Sequence, residues 1–180
     1  MIAYREAVAD DLPAMADIFV AAWRAGYRGV VPDEVIDALD ADTIATDLAV
    51  RLNDPRLKTV LAVDATGRPV GFVRYGDDAD HAGEGYLAAL YVHPAASGAG
   101  VGRGLLHRAI DAMPGVDVRL WVFEDNDRAR ALYERAGFRP EGARLTDPRW
   151  RTPQARYLRP GRSNTARISR LRGPARSPGS

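Results

Sequence analysis

The sequence predicts a mixed α/β fold in one domain, a central sheet with both parallel and antiparallel strands flanked by helices. Three features of the chain point that way. Strand-like and helix-like runs alternate along most of its 180 residues, the pattern that builds parallel pairs. Two adjacent strand-like runs, Lys58 to Val63 and Val70 to Tyr75, are joined by a short turn-rich segment, which makes an antiparallel hairpin. Cysteine is absent, so a hydrophobic core alone must hold the fold, and a chain of this length can build one.

Each element has its own signal. Ile2 to Val8 alternates apolar and polar residues and reads as a first strand. Asp10 or Asp11 can cap the helix that follows, with Pro13 tolerated in its first turn. Leu12, Met15, Ala16, Phe19, Ala22 and Trp23 then fall on one helical face. Gly26 and Gly29 interrupt it, and Pro32-Asp33 opens a second helical region running from Glu34 to about Leu52. After the hairpin, the polar stretch Asp77 to Gly85 leads to a strand, Tyr86 to Val92. A glycine-rich turn and a helix from Val101 to Met113 come next, stopped by Pro114-Gly115. Val116 to Phe123 is a further strand. Asp125 or Asn126 caps a short helix that closes on Gly137, a residue suited to a left-handed backbone. Two final strands begin at Phe138 and at Gln154.

Charge divides the chain in two. Residues 1–160 carry 20 basic and 24 acidic side chains, net −4, whereas residues 161–180 hold five arginines and no acid. The expected organisation is therefore a folded domain over 1–160 and a disordered Arg-, Ser-, Pro- and Gly-rich tail over 161–180. A mildly acidic folded part argues against nucleic-acid binding by that part. The tail reads either as a solvated extension or as an electrostatic tether to RNA, acidic lipid or a protein substrate. His81, His93 and His107 lack the spacing of a metal site. No apolar run is long enough to cross a membrane and no basic-then-apolar leader opens the chain, so a soluble cytoplasmic protein is expected.

Two motifs carry chemistry. Ser97-Gly98-Ala99-Gly100-Val101-Gly102-Arg103-Gly104 lies between a strand and a helix. Bare glycine turns expose main-chain N–H groups, and the helix start adds the positive end of its dipole, so the segment suits phosphate oxygens. It is no P-loop, since no Gly-Lys-Ser/Thr follows, and it lacks the context of a dinucleotide fingerprint. Downstream, Asn126 opens a helix whose residues Ala129, Leu132, Tyr133 and Ala136 form one apolar stripe. By periodicity alone Tyr133 reads as a core tyrosine and Asn126 as a helix cap.

In this order and spacing the two motifs resemble the acyl-CoA core of the GNAT superfamily of N-acetyltransferases. Gly100 and Gly102 match the glycines of Arg/Gln-x-x-Gly-x-Gly/Ala, with Ser97 standing where the family has Arg or Gln. Asn126, Ala129, Tyr133, Gly137 and Phe138 match its Asn-x-x-Ala-x-x-x-Tyr-x-x-x-Gly-Phe segment. The resemblance covers Ile2 to about Leu158. It implies a strand that bulges and splays from its parallel neighbour, with the pantetheine arm of acetyl-CoA lying in the gap. On that reading Leu90, Tyr91 and Val92 hold the arm through main chain, Ser97 to Arg103 hold the phosphates, and Asn126 touches the arm. Tyr133 is placed beside the sulfur, where a neutral phenol can serve a departing thiolate.

The resemblance further implies transfer of acetyl directly to a primary amine of a small molecule or peptide, without metal, and a homodimer as a common assembly. The family's usual general base, a glutamate, falls at Tyr86 here; Glu84, two residues earlier, is the candidate base, or else a solvated carboxylate at a loop edge. Trp23-Arg24-Ala25-Gly26-Tyr27-Arg28-Gly29-Val30-Val31-Pro32 resembles a segment of a bacterial subgroup of unassigned substrate. Trp23, Tyr27, Tyr86 and Tyr157 are the expected acceptor-site residues, with core packing the other reading of Trp23. Two alternatives stay open: a non-catalytic acyl-CoA-binding module, and a protein or ribosomal N-acetyltransferase.

Overall fold

The computed structural model describes residues 1–161. The expected tail lies outside the described residues except for Gly161, which is buried and donates its N–H to the Asp117 carboxylate at 2.7 Å. The elements run β1 (Ala3–Glu6), α1 (Leu12–Gly26), α2 (Asp33–Asp37), α3 (Ala41–Leu52), β2 (Leu57–Val63), β3 (Pro69–Asp77) and β4 (Gly85–Val92). There follow α4 (Val101–Asp111), β5 (Val118–Phe123), α5 (Asp127–Arg135), β6 (Arg139–Asp147) and β7 (Thr152–Arg159). Single turns of 3-10 helix precede α1 and α4.

The seven strands form one sheet in the order β1-β2-β3-β4-β5-β7-β6. β4 and β5 are parallel and the other neighbours antiparallel, so the sheet is mixed, as the interleaved hairpin and helices predict. Period-two alternation sorts the strand residues onto two faces. Leu61, Val63, Phe72 and Phe123 pack against α1, α2 and α3 in one apolar cluster. Ala62, Val73, Leu87, Leu120 and Tyr157 pack in a second cluster with α4 and α5.

One helix differs from expectation. The region from Glu34 to Leu52 is not continuous: it breaks at Ala38 to Asp40. Asp40 takes an extended backbone and its carboxylate accepts from the Thr43 N–H at 2.8 Å and the Thr43 hydroxyl at 2.9 Å. A side chain that satisfies orphan helix donors restarts a helix, and Asp40-x-x-Thr43 was the readable signal. Leu39, in the break, turns into the core.

Asp11 stands at the start of α1, but its side chain does not cap that helix. It accepts from Nη1 and Nη2 of Arg5, each at 2.7 Å, and from the Val8 N–H at 2.8 Å. Hydrogen bonds from Arg5 hold its pKa below the usual aspartate value, against the opposing effect of burial. The stabilisation is therefore present above the unfolded pKa of about 4 and lost as pH falls through the folded value. Asp11→Asn should cost about 1–2 kcal/mol at neutral pH, since Arg5 is half-exposed and screened. Thermal melts at pH 7 and pH 3 check this: the gap between variant and parent should narrow at the lower pH.

Candidate active site

The site is organised by an irregularity in β4. Along the β3–β4 ladder Arg74 faces Ala89 but Tyr75 faces Leu87, so Ala88 is an extra residue. Such a bulge restarts the alternation. Tyr86 and Tyr91, five positions apart, therefore share the α1/α3 face, while Leu87 and Leu90 pack on the other. On its opposite edge β4 pairs with β5 only at Gly85–Val118 and Tyr86–Arg119. From Leu87 onward that edge of β4 has no strand partner, and the sheet opens into a gap. The splayed, bulged strand expected from the resemblance is present.

One cavity, of about 1210 Å³, lies along this gap and under the glycine turn. Leu90, Tyr91, Val92 and every residue from Ser97 to Arg103 line it. Gly98 and Gly100 have φ of 83° and 78°, in the region closed to most side chains. Gly100 precedes the first residue of α4, and by helix geometry the N–H groups of Val101, Gly102 and Arg103 have no acceptor within the helix. Arg103, Arg128 and Arg135 also line the cavity and no carboxylate does. The cavity thus combines a ring of unshielded main-chain donors with three cations, the chemistry of a phosphate-rich ligand.

Asn126 and Tyr133 sit where this cavity meets a second one. Asn126 caps α5, its side-chain oxygen accepting from the Ala129 N–H at 3.1 Å, and it lines both spaces. Tyr133, about two turns further on, packs edge-on against Phe138 with centroids 5.9 Å apart. Among the described residues its hydroxyl has no hydrogen-bond partner. Burial pushes the phenol well above its ordinary pKa, with the neighbouring Tyr91 and Tyr86 adding to the effect, so it stays neutral at any physiological pH.

The second cavity, of about 430 Å³, lies on the α1/α3 face. Aromatic rings dominate its wall. Trp23 stacks on Tyr27 at 4.5 Å with 7° between planes, and Trp150 packs on Trp23 at 4.3 Å. Trp23 itself is 1% exposed, so its side chain serves the core while one edge borders the cavity. Tyr27 lines both cavities, and burial raises its pKa strongly. Tyr86 faces this cavity too, its pKa also raised by burial. Asp47, Arg51, Arg74, Asp147 and Arg149 supply the charge. The two cavities share Tyr27, Leu90, Tyr91, Asn126, Ala129 and Tyr133.

Two expected site residues are not brought to either cavity. Glu84 lies on the Tyr86 face but beyond the end of the cavity, where its carboxylate pairs with Arg119. Arg119 also bonds Glu141 at 3.1 Å, and Arg156 pairs with Glu141, so two carboxylates and two guanidiniums neutralise one another there. Tyr157 points the other way. Odd and even positions of β7 face opposite sides, and Tyr157 lies in the α4/α5 core with its hydroxyl between Arg130 at 2.9 Å and Glu134 at 3.0 Å. Gln154, on the opposite parity, is the β7 residue that lines the second cavity. Sequence reasoning missed Trp150, Arg149 and Arg74. For Arg74 a signal existed: an arginine at the Phe72 parity of an otherwise apolar strand.

Among the described residues, no group of three potential ligands could hold a metal ion and no helix is long and apolar enough to cross a membrane. The family model for the acetyltransferase (GNAT) family matches residues 12–138. The chain is 27% identical to a probable N-acetyltransferase of Mycobacterium tuberculosis over 146 residues, 81% of this chain and 84% of that protein. A shorter stretch of 62 residues is 50% identical to the mycothiol acetyltransferase of Beutenbergia cavernae, covering 33% of this chain and 21% of that enzyme. In fold it is similar to the PaiA N-acetyltransferase of Thermoplasma acidophilum, solved in complex with coenzyme A, with a TM-score of 0.68 at 20% identity over 87% of this chain and 98% of that one. With the family matched across α1 to α5, the chain belongs to the GNAT family of acetyltransferases.

Proposed function

We propose that the protein is an acetyl-CoA-dependent N-acetyltransferase that acetylates a primary amine directly. The observation that carries this reading is the meeting of two cavities at Tyr133, whose hydroxyl has no hydrogen-bond partner among the described residues, beside the gap along β4. Acetyl-CoA supplies an activated acetyl thioester. The residues present fit it: main-chain N–H groups from Gly98 to Arg103 for the diphosphate, the open edge of Leu90 to Val92 for the arm, and Arg103, Arg128 and Arg135 for the remaining phosphate. Ser97, in place of a longer side chain, leaves phosphate binding to main chain, with its own hydroxyl at the rim.

The amine occupies the aromatic cavity, positioned by Tyr27 and Tyr86. Its nitrogen bonds to the acetyl carbon as the carbon–sulfur bond breaks. Main-chain N–H groups on the open edge of β4 stabilise the charge that gathers on the acetyl oxygen. The Tyr133 hydroxyl donates a hydrogen bond to the departing sulfur. Because its pKa lies above that of a thiol, about 8.5, it stabilises the thiolate without surrendering its own proton fully. The amine gives one proton to water in the cavity before it attacks and a second as the amide forms, since Glu84 is occupied by Arg119, and the departing CoA thiolate takes up a proton from water. Glu84→Gln should accordingly leave kcat within about threefold of the parent, well short of the 10²-fold or more that losing a general base costs.

The direct test is thiol release from acetyl-CoA by the purified protein against a panel of amines. Turnover with any member, together with a free-CoA product in equal amount, supports the reading. Absence of CoA binding by calorimetry at millimolar concentration overturns it.

A further inference from the structure

Arg74 is 4% exposed, on the wall of the aromatic cavity. A guanidinium offers five N–H donors and keeps its charge. One donor is accounted for, from Nη2 to the carbonyl of Arg51 in the last turn of α3. Nε is buried with no partner, and among the described residues no carboxylate forms an ion pair with the group. Asp54, the acid that acts on Arg74 through space, is itself held by Arg56 at 2.9 Å. Burial lowers the pKa of Arg74, the sign expected of a desolvated cation without a counter-ion.

The other charges on the wall do not compensate. Asp47 and Arg149 pair at 2.6 Å and cancel. The Asp147 carboxylate accepts from the Arg149 backbone N–H at 2.7 Å, holding the β6–β7 turn. Arg51 makes no ion pair among the described residues. Two guanidiniums are thus left against one carboxylate in a cavity of about 430 Å³, too small for a folded protein surface and too positive for a polyamine.

We propose that Arg74, with Arg51 beside it, receives an anionic oxyacid group carried by the amine acceptor, so that the substrate is a small amino-acid-like molecule. A planar carboxylate matches the fork of a guanidinium, and the buried, unpartnered Nε is the donor that the ligand would satisfy. This inference rests on the reading of the cavity as the acceptor site. It narrows that reading from amines in general to those with an anion at the other end.

The test is matched pairs in the thiol-release assay: β-alanine against β-alaninamide, each proteinogenic amino acid against its amide, and phosphoethanolamine against ethanolamine. Calorimetric binding of the same compounds to the CoA-loaded protein gives a readout that needs no turnover. The anionic members should be preferred by about tenfold or more in kcat/KM or in affinity. Carboxylate and phosphate pairs identify which oxyacid is read. Arg74→Gln should bring the preference to within about twofold while CoA affinity is kept, and Arg51→Gln, on the exposed end of α3, should weaken it without any demand on the core. Neutral members handled as well as the anionic ones overturn the inference and leave the N-acetyltransferase reading standing. Failure to bind CoA overturns that reading instead.

Discussion

Tyr133→Phe should lower kcat by about 10²-fold while CoA affinity stays within about twofold. The loss is confined to turnover because the hydroxyl makes no hydrogen bond among the described residues, so removing it breaks none. The ring remains, still packed on Phe138, and stability should shift by less than about 0.5 kcal/mol. Because burial raises the phenol pKa, the neutral form is required and present at low pH and is lost only as pH climbs past the raised value. The parent kcat profile should therefore show no alkaline fall below about pH 10, the ordinary phenol value. A kcat for the phenylalanine variant within threefold of the parent would remove Tyr133 from the chemistry and leave it as a wall of the cavity. A parent protein with intact CoA binding and no turnover on any amine would favour a non-catalytic acyl-CoA-binding module.

Gly100→Val should weaken CoA binding by about tenfold or more, equivalent to about 1.4 kcal/mol. Gly100 has φ of 78° and ψ of 3° immediately before α4, a backbone that a β-branched residue scarcely adopts. Valine must either bear that strain, about 1–2 kcal/mol, or rotate the peptide, which re-aims the N–H of Val101 away from the cavity. Space in the protein is not the obstacle, because a Cβ at this position meets nothing within 4 Å. Calorimetry with CoA and a thermal melt separate the effects. A variant with unchanged affinity would show that the turn is not the phosphate cradle.

Several elements were readable from local chemistry because local chemistry decides them. The hairpin of β2 and β3 came from two apolar runs around a turn. Gly137 ends its helix with φ of 93°, as glycine after a helix predicts. The α4 stripe of Val101, Leu105, Ala109 and Ile110 is buried as its period requires. The α2–α3 break was legible too, in the Asp40 cap, but a continuous helical periodicity concealed it. The glycine turn and the Asn126–Tyr133 helix were placed by their residues in order, and both border the cavities.

The aromatic cavity was a different matter. Its wall is assembled from α1, α3, β3, β4, β5, α5 and the β6–β7 hairpin, segments far apart in the chain whose proximity depends on the packing of the whole sheet. The bulge at Ala88 changes which side every later β4 residue faces, and no pattern in a run of apolar residues marks it. Glu84 was a fair candidate by strand parity, yet Arg119 from β5 claims its carboxylate. Tyr157 was legible as an aromatic on a late strand but not as a residue of the α4/α5 face. The elements, the glycine turn and the helix bearing Tyr133 could be read along the chain, since those depend on contacts within a few residues. Which charges face the aromatic cavity and which are neutralised elsewhere followed from the folded packing, because ion pairing and burial are settled by partners that the chain order does not bring together.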